Sequence, residues 1–483
     1  GDVFCFRTAC WSSQPWSTGP DAVFCMSLAA DLVFSLRFSV FFAAQVLFVT
    51  HIHAFRSVLS FQVRLSPNRK VRPVSCRWYL SQKGMVIIML VHFSDRMAHM
   101  QPSDIREQQK ATANPAVVPF TAGNPAIEAL PVGDIQRIAA EVLEEAPAKA
   151  LLYGITEGYD PLREQIAHLL ESHYQVPLRD NKFIVTTGAQ QAAELISKVV
   201  LNENDVVICE NPSFPSYMKS FQSYNAAVIG IDTEKDGIDI SQLEKALQTH
   251  KNVKLLYLMP NFQNPTGYTT SLAKRKEILQ LCKKHEVLIL EDNPYGDLRY
   301  TGEDVPLLKS LDTDGIVFYV GSFSKILSPG LRLGYVLGPG AYIDKMTIAK
   351  QICDSHTPML TQMICAKWLA TTDLTANIAR IREIYKQKLD CMLRHMEATF
   401  PPAVHYSRPE GGMFVWCTLP EQADLNAFCA EALKRNVAVV SGRAFTANTA
   451  PCTSFRINFT APSEEQIVRG IEALGKLTHE LYR

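Results

Sequence analysis

From about residue 100 onward, short and nearly continuous apolar runs alternate with helix-length amphipathic segments, and this alternation restricts the fold more than any other feature. Lys182–Thr187 reads as a strand, Ala189–Leu201 as a helix and Asp205–Cys209 as a strand. Val253–Met259 and Val287–Glu291 read as strands on either side of a helix over Ser271–His285. Ile316–Val320 and Leu333–Leu337 add two more strands. Strands apolar on both faces and separated by helices belong to a mostly parallel sheet covered on both sides. After about Ala341 the pattern changes to two long helical stretches, short strands near Met413–Thr418 and Ser454–Phe459, and a closing helix from Ser463. That is the pattern of a second, smaller α+β domain. The expected class is α/β: a mostly parallel mixed sheet sandwiched by helices, followed by this C-terminal domain.

The first hundred residues differ. Glu is absent until Glu107, and residues 22–50 are strongly apolar, interrupted by Asp31 and Arg37. The run Phe38–Thr50 falls short of the roughly 20 residues a membrane helix needs, and Met85–Phe93 is shorter again. A signal anchor flanked by Arg37 and an Arg-rich organellar leader are two readings of this region. The favoured one is an atypical, non-native hydrophobic extension, residues 1–96, that adds nothing to the chemistry and implies no membrane attachment. The remaining expected boundaries are an arm and lid segment over 97–145, a large domain over 146–340 and a small one over 341–483.

Lys+Arg and Asp+Glu are equal at 48 each, so the chain lacks the basic footprint of a nucleic-acid binder. The 12 cysteines are scattered, with no Cys-x-x-Cys pair and no metal-ligand spacing. They read as reduced core thiols of a reducing compartment, which points to a cytoplasmic protein with no metal site.

Several turns at strand ends carry residues suited to chemistry. Ser322-Phe323-Ser324-Lys325, with Arg332-Leu333-Gly334-Tyr335 behind it, follows a buried strand. A lone loop lysine is usually a solvated charge. Here two hydroxyls and a trailing guanidinium could hold a phosphate while the amine reaches a carbonyl. Glu291-Asp292-Asn293-Pro294-Tyr295-Gly296 ends another strand. Asp292 could merely cap a turn. Facing the crevice at the carboxyl end of a sheet, it could instead salt-bridge a protonated ring nitrogen and turn that ring into an electron sink. Tyr295 could then hydrogen-bond a phenolic oxygen on the ring.

Asn264, in Asn261-Phe262-Gln263-Asn264-Pro265-Thr266-Gly267, is by itself an ordinary turn residue, but beside the Asp292 strand it becomes a second donor to that oxygen. Thr187-Gly188-Ala189-Gln190-Gln191 joins a strand to a helix, where glycine permits the tight turn and free N–H groups make an anion site. Phe214, after Glu210-Asn211-Pro212-Ser213, offers a face to stack on a flat ring, though a core role is the default for such a residue. Arg456 interrupts the apolar run Ser454–Phe459, and a buried Arg needs a partner. A substrate carboxylate or an internal salt bridge would each serve.

These pieces, in this order, resemble the fold-type I pyridoxal-5′-phosphate (PLP) aminotransferases of class I/II over roughly residues 100–483. The branch it resembles most contains 2-aminoadipate, kynurenine and broad-specificity aromatic aminotransferases. Tyr153-Gly154-Ile155-Thr156-Glu157-Gly158 and Arg408-Pro409-Glu410-Gly411-Gly412 belong to the same resemblance, and Ser103-Asp104-Ile105-Arg106-Glu107 is similar to that branch's mobile segment over the active site. The resemblance implies that Lys325 forms the internal aldimine, Asp292 pairs with the pyridine nitrogen, Asn264 and Tyr295 hold the ring oxygen, and Phe214 stacks on the ring. Gly188, Ala189, Gln190, Ser322, Ser324 and Arg332 would form the phosphate cup. Arg456 would grip the substrate carboxylate, with Gly123 and Asn264 lining that pocket. Tyr153 would reach the cofactor of a second subunit, which implies a homodimer with shared sites. Phe214 stands where many relatives carry Tyr or Trp, and Ala122-Gly123-Asn124-Pro125 departs from the commoner Gly-Gly-x-Pro.

The expected activity is ping-pong transfer of an amino group from an L-amino acid to a 2-oxo acid, 2-oxoglutarate being the expected acceptor. A PLP-dependent β-lyase on the same scaffold is one rival, because fold does not determine chemistry. A transcription regulator with an aminotransferase-like domain is the other. Residues 1–96 argue against it, lacking a basic recognition helix.

Overall fold

In the computed structural model the described residues are strands within 58–89, then 93–98, 100–102, 113–447 and 451–482. The chain separates into two compact units, Gly1–Ser94 and Asp95–Arg483. The described part of the first is a three-stranded antiparallel sheet of β1 (Val58–Val63), β2 (Val74–Ser81) and β3 (Gly84–Met89), in that order. The run Phe38–Thr50 and the segment Ser103–Glu107 lie outside the described residues. Among the described residues no helix is long and apolar enough to cross a membrane, and no His/Cys/Asp/Glu group could hold a metal ion.

In the second unit a short strand, β4 (Val118–Pro119), precedes an eight-stranded sheet. Its strands are β5 (Asn181–Thr186), β6 (Val206–Asn211), β7 (Ala227–Glu234), β8 (Gly237–Ile238), β9 (Val253–Leu258), β10 (Leu288–Asp292), β11 (Val317–Ser322) and β12 (Gly334–Pro339). The order is β5-β12-β11-β10-β9-β6-β7-β8. From β11 through β10, β9 and β6 to β7 every neighbour is parallel. β12 runs against both β11 and β5, and β8 runs against β7. The class is the expected one.

The central strands are apolar on both faces because helices cover both. Leu290, Phe318 and Val320 point into one core layer and Leu256, Leu258 and Ile289 into the other. Each such side chain, fully buried, contributes about 1.5–3 kcal/mol of transfer free energy. β7 escaped the sequence reading for the converse reason: its residues are mostly half-buried or exposed, with no continuous apolar run.

A second, four-stranded sheet combines β13 (His405–Tyr406), β14 (Phe414–Thr418), β16 (Val440–Ser441) and β17 (Ser454–Asn458) in the order β13-β14-β17-β16. β15 (Val437–Ala438) pairs in parallel with β4, which ties residues just upstream of Gly123 to this region. Helices Leu374–Thr399 and Glu464–Leu481 pack together against it. Ser463 starts the latter with a full capping box through Gln466. Three helices, not two, follow β12: Gly340–Cys353, Met359–Thr371 and Leu374–Thr399. The extra break falls at Asp354–Pro358, where Ser355 adopts a left-handed φ of 65° and Pro358 precedes the next helix.

Candidate active site

Because β6, β9, β10 and β11 run parallel, their carboxyl ends open on one edge of the sheet, where such folds bind ligands. The connection after each strand delivers one chemical group. A cavity of about 210 Å³ there is lined by Ala189, Gln190, Phe214, Tyr217, Met259, Asn264, Asp292, Pro294, Tyr295, Ser322, Ser324, Lys325, Pro329 and Arg332.

Lys325 sits just past β11, in a turn tightened by Ser324 N donating to Ser322 Oγ at 3.2 Å. Its amine donates to the Gly123 carbonyl at 2.7 Å and stands 6.0 Å from the centre of the Tyr295 ring. Burial, then the charges of Arg456 and Arg332, pushes the Lys325 pKa down to about 8. Near neutrality a useful fraction is therefore uncharged and nucleophilic.

Asp292 ends β10. The side chains of adjacent strand residues face opposite ways, and the two acids there have different fates. Glu291 accepts from the backbone N–H groups of Leu308 and Lys309, both at 2.8 Å, and serves the fold. Asp292 faces the cavity. Its Oδ2 accepts from the Tyr257 hydroxyl at 3.3 Å, but its Oδ1 is buried without a protein partner. Burial raises its pKa to about 7, and the nearby hydroxyls of Tyr217 and Tyr257 pull it part of the way back. A buried carboxylate oxygen with nothing to accept from costs free energy until a donor arrives.

Opposite lies a chain of polar contacts that crosses between the two sheets. Arg456, in the middle of β17, is 2 % exposed. Its Nη1 donates to Asn264 Oδ1 at 2.9 Å and its Nη2 to the Thr121 carbonyl at 3.1 Å, while its Nε has no partner. Its guanidinium lies 4.0 Å from the Phe414 ring centre. Among the described residues no carboxylate pairs with it, so an internal salt bridge is not the answer to the open question about this residue. Burial lowers its pKa to about 10. Asn264 Nδ2 in turn reaches the Tyr295 hydroxyl at 3.5 Å. A Cβ added to Gly123 would project into open space beside this group.

The third corner suits an anion. Gly188 (φ 77°) precedes helix Ala189–Val200, and an added Cβ there would collide with the Arg332 guanidinium. Arg332 is itself held at a left-handed φ of 53°, and its Nη2 donates to the Thr187 carbonyl at 3.4 Å. The first N–H groups of the helix have no carbonyl one turn back. Lysine, orphan carboxylate and anion cradle thus share one cavity.

A family model described as aminotransferase class I and II matches residues 115–474. The chain belongs to this family. Aromatic-amino-acid aminotransferase 1 of Thermococcus litoralis is 39% identical over 393 residues, 80% of this chain and 94% of that one. The solved kynurenine aminotransferase of Pyrococcus horikoshii, in complex with PMP, has 36% identity and a TM-score of 0.78, covering 81% and 98% of the two chains. The HTH-type transcriptional regulator YjiR of Escherichia coli is 30% identical over 380 residues, 78% of this chain and 80% of that one. As an aminotransferase the protein transfers amino groups and uses PLP as its cofactor.

The aminotransferase cavity collects ten of the residues singled out from sequence: Ala189, Gln190, Phe214, Asn264, Asp292, Tyr295, Ser322, Ser324, Lys325 and Arg332. Gly188, Gly123 and Arg456 adjoin it through Arg332, Lys325 and Asn264. Tyr153 does not join it within one chain. It is 91% exposed and packs edge-on against His356, ring centres 5.7 Å apart. Tyr217 and Tyr257 were missed. Their one sequence signal is that a buried tyrosine hydroxyl in an apolar segment needs a polar partner.

Proposed function

We propose that Lys325 anchors PLP and shuttles the substrate proton. The other cavity residues would hold the cofactor's ring and phosphate, and Arg456 would bind the carboxylate of an L-amino acid. The observation that carries this reading is the orphan Oδ1 of Asp292 in the cavity that also holds the depressed-pKa Lys325. The residues fit the group: Asp292 Oδ1 for a ring N–H, Asn264 and Tyr295 for a ring oxygen, and Phe214 for the ring face. Gly188, Ala189, Gln190, Ser322, Ser324 and Arg332 suit the phosphate.

When bound, PLP supplies an electron sink for the pair left at Cα after a proton leaves. The chain supplies positioning and proton transfer. The N–H groups Arg456 gives to Asn264 and Thr121 fix its guanidinium plane, and its unpartnered Nε–H and remaining Nη hydrogens would orient the substrate carboxylate at little entropic cost. Lys325 Nζ, neutral in part at pH 7, takes the proton from Cα. Asp292, ionised, keeps a partnered ring nitrogen protonated. The same groups would serve the return half-reaction, with a 2-oxo acid such as 2-oxoglutarate as acceptor.

Leu151, Leu152, Tyr153 and Ile155 form an exposed apolar run that a second copy of the chain would cover. This supports a homodimer in which Tyr153 faces the neighbouring site. All eight described cysteines are free, which supports a reducing, cytoplasmic setting.

The test is transamination itself. Purified protein with PLP, 2-oxoglutarate and a panel of L-amino acids is expected to release glutamate. Lys325→Ala is expected to lose turnover by about the 10²–10⁴-fold that a positioned acid–base group contributes, or more, together with the visible absorbance of the anchored cofactor. A Lys325→Ala protein that still transaminates would overturn the assignment.

A further inference from the structure

Against the Gly188–Gln190 turn lies a polar cluster none of whose members lines the cavity. Lys350, in helix Gly340–Cys353, is 0% exposed, although an ammonium is seldom fully buried. Its Nζ donates to both Asp354 oxygens at 2.9 Å and to Gln191 Oε1 at 2.7 Å. Gln191 Oε1 also accepts from Thr187 N at 2.8 Å, and Gln191 Nε2 donates to Asp354 Oδ2 at 2.6 Å. The Thr187 hydroxyl donates to the same Asp354 oxygen at 2.9 Å and lies 3.1 Å from the Thr357 hydroxyl.

The sequence positions of these contacts give them their meaning. Thr187 and Gln191 bracket Gly188-Ala189-Gln190, the turn whose N–H groups face the anion corner. Both brackets are tied to the Asp354 carboxylate at the end of a different helix, and Gln191 also to the Lys350 ammonium within it. The carbonyl of Thr187 meanwhile accepts from Arg332. A surface i,i+4 pair on a helix needs none of these further contacts. Lys350 is the buried half of this pair, while the Asp354 side chain keeps 28% exposure, and the bonds Asp354 accepts from Gln191 and Thr187 as well as from Lys350 hold the turn in one geometry. Docking the helix on the sheet could have been done with a methionine. The polar solution specifies where the turn sits.

We infer that Lys350, Asp354 and Gln191 are positioning residues for the phosphate-binding turn, and that they set the chain's preference for PLP over pyridoxal, its form without phosphate. This rests on the cofactor placement proposed above. Pyridoxal can still react with Lys325 and meet Asp292, but it has nothing to place on the turn. A loosened turn therefore weakens PLP and leaves pyridoxal alone, whereas general damage to the fold weakens both.

The experiment strips the full-length protein of cofactor and measures dissociation constants for PLP and for pyridoxal by absorbance titration. Lys350→Met is expected to weaken PLP about tenfold, as loss of roughly 1.4 kcal/mol at the anion site would, with pyridoxal changed by less than about twofold. Asp354→Asn keeps the shape and removes the charge. It covers the case in which the lysine variant does not fold, and is expected to shift the same ratio in the same direction. An unchanged PLP-to-pyridoxal ratio in Asp354→Asn, or equal weakening of both ligands, overturns the inference. A Lys325→Ala protein that holds PLP as tightly as the parent breaks the underlying placement instead, so the two failures are distinguishable.

Discussion

The two walls of the active site are built on different principles. On one side Asp292 and Lys325 follow the adjacent parallel strands β10 and β11, and the Gly188 turn follows β5 beyond the antiparallel β12, in a sheet whose central strands are buried on both faces. On the other, Arg456 comes from the second sheet and is aimed by contacts with Asn264 and Thr121, from two further parts of the chain. The first wall is rigid because it is sheet. The second is an assembly of side chains from three segments, and its precision depends on all three. The cofactor wall should therefore fail by losing chemistry, and the substrate wall by losing recognition.

The sharpest way to break that contrast is at Asp292. Asp292→Ala removes the only carboxylate that lines the cavity among the described residues and is expected to lower kcat by about 10²–10³-fold, the scale of one preorganised electrostatic group, with a much smaller change in KM for the amino acid. Arg456→Lys should do the opposite. The planar fork that bonds Asn264 and Thr121 together has no ammonium equivalent, and kcat/KM is expected to fall by roughly 30–100-fold, as loss of 2–3 kcal/mol at a buried charge-assisted pair implies, mostly through KM. If Arg456→Lys instead lowers kcat with KM untouched, the division between the walls is wrong.

The same contrast runs through what was legible in the sequence. Lys325, Asp292, Asn264 and Gly188 could be picked out because parallel strands end abruptly in polar turns, and those turns mark the edge of the sheet. Tyr217 and Tyr257 bear on Asp292 through their hydroxyls, yet nothing in an apolar run says which way an aromatic side chain points. Arg456 was legible as an anomaly, a charge in an apolar strand, but its choice between substrate and salt bridge needed the fold. Tyr153 could be named only through the family resemblance, since within one chain it packs on His356 and meets no cavity residue. The half-buried strand Ala227–Glu234 lacked the apolar run by which its neighbours announced themselves.

Acidity should sharpen the picture next. Capture of PLP by the cofactor-free protein needs Lys325 neutral and Asp292 ionised. Lys325 has a lowered pKa of about 8, set by burial and by Arg456 and Arg332, so its neutral fraction falls about tenfold for each pH unit below that value. Asp292 has a raised pKa of about 7, set by burial against Tyr217 and Tyr257, so it takes up a proton as pH falls through 7. The capture rate, followed by stopped-flow absorbance, is expected to rise with pH between 6 and 8, and affinity to weaken further below 7. A flat profile over that range would remove Lys325 as the group that titrates.

The smallest expected effect tests whether the cofactor wall has a second layer. Tyr257 is completely buried, and its hydroxyl meets Asp292 Oδ2 at 3.3 Å, a long contact. Tyr257→Phe keeps the ring and removes one hydrogen bond to a carboxylate, worth about 1.5 kcal/mol, the low end for a charged acceptor because the contact is long. Without that donor the ionised form of Asp292 is less stabilised, so its pKa should move further up from about 7. Two consequences separate this from simple loss of packing. The kcat at pH 8 should fall by no more than about threefold, because a rise of about one pKa unit still leaves much of the carboxylate ionised there. Affinity for PLP in the cofactor-free protein should begin to weaken at a higher pH than in the parent. A variant that loses activity equally at all pH values, with the affinity profile unmoved, would mean that Tyr257 fills space beside Asp292 and does not tune it.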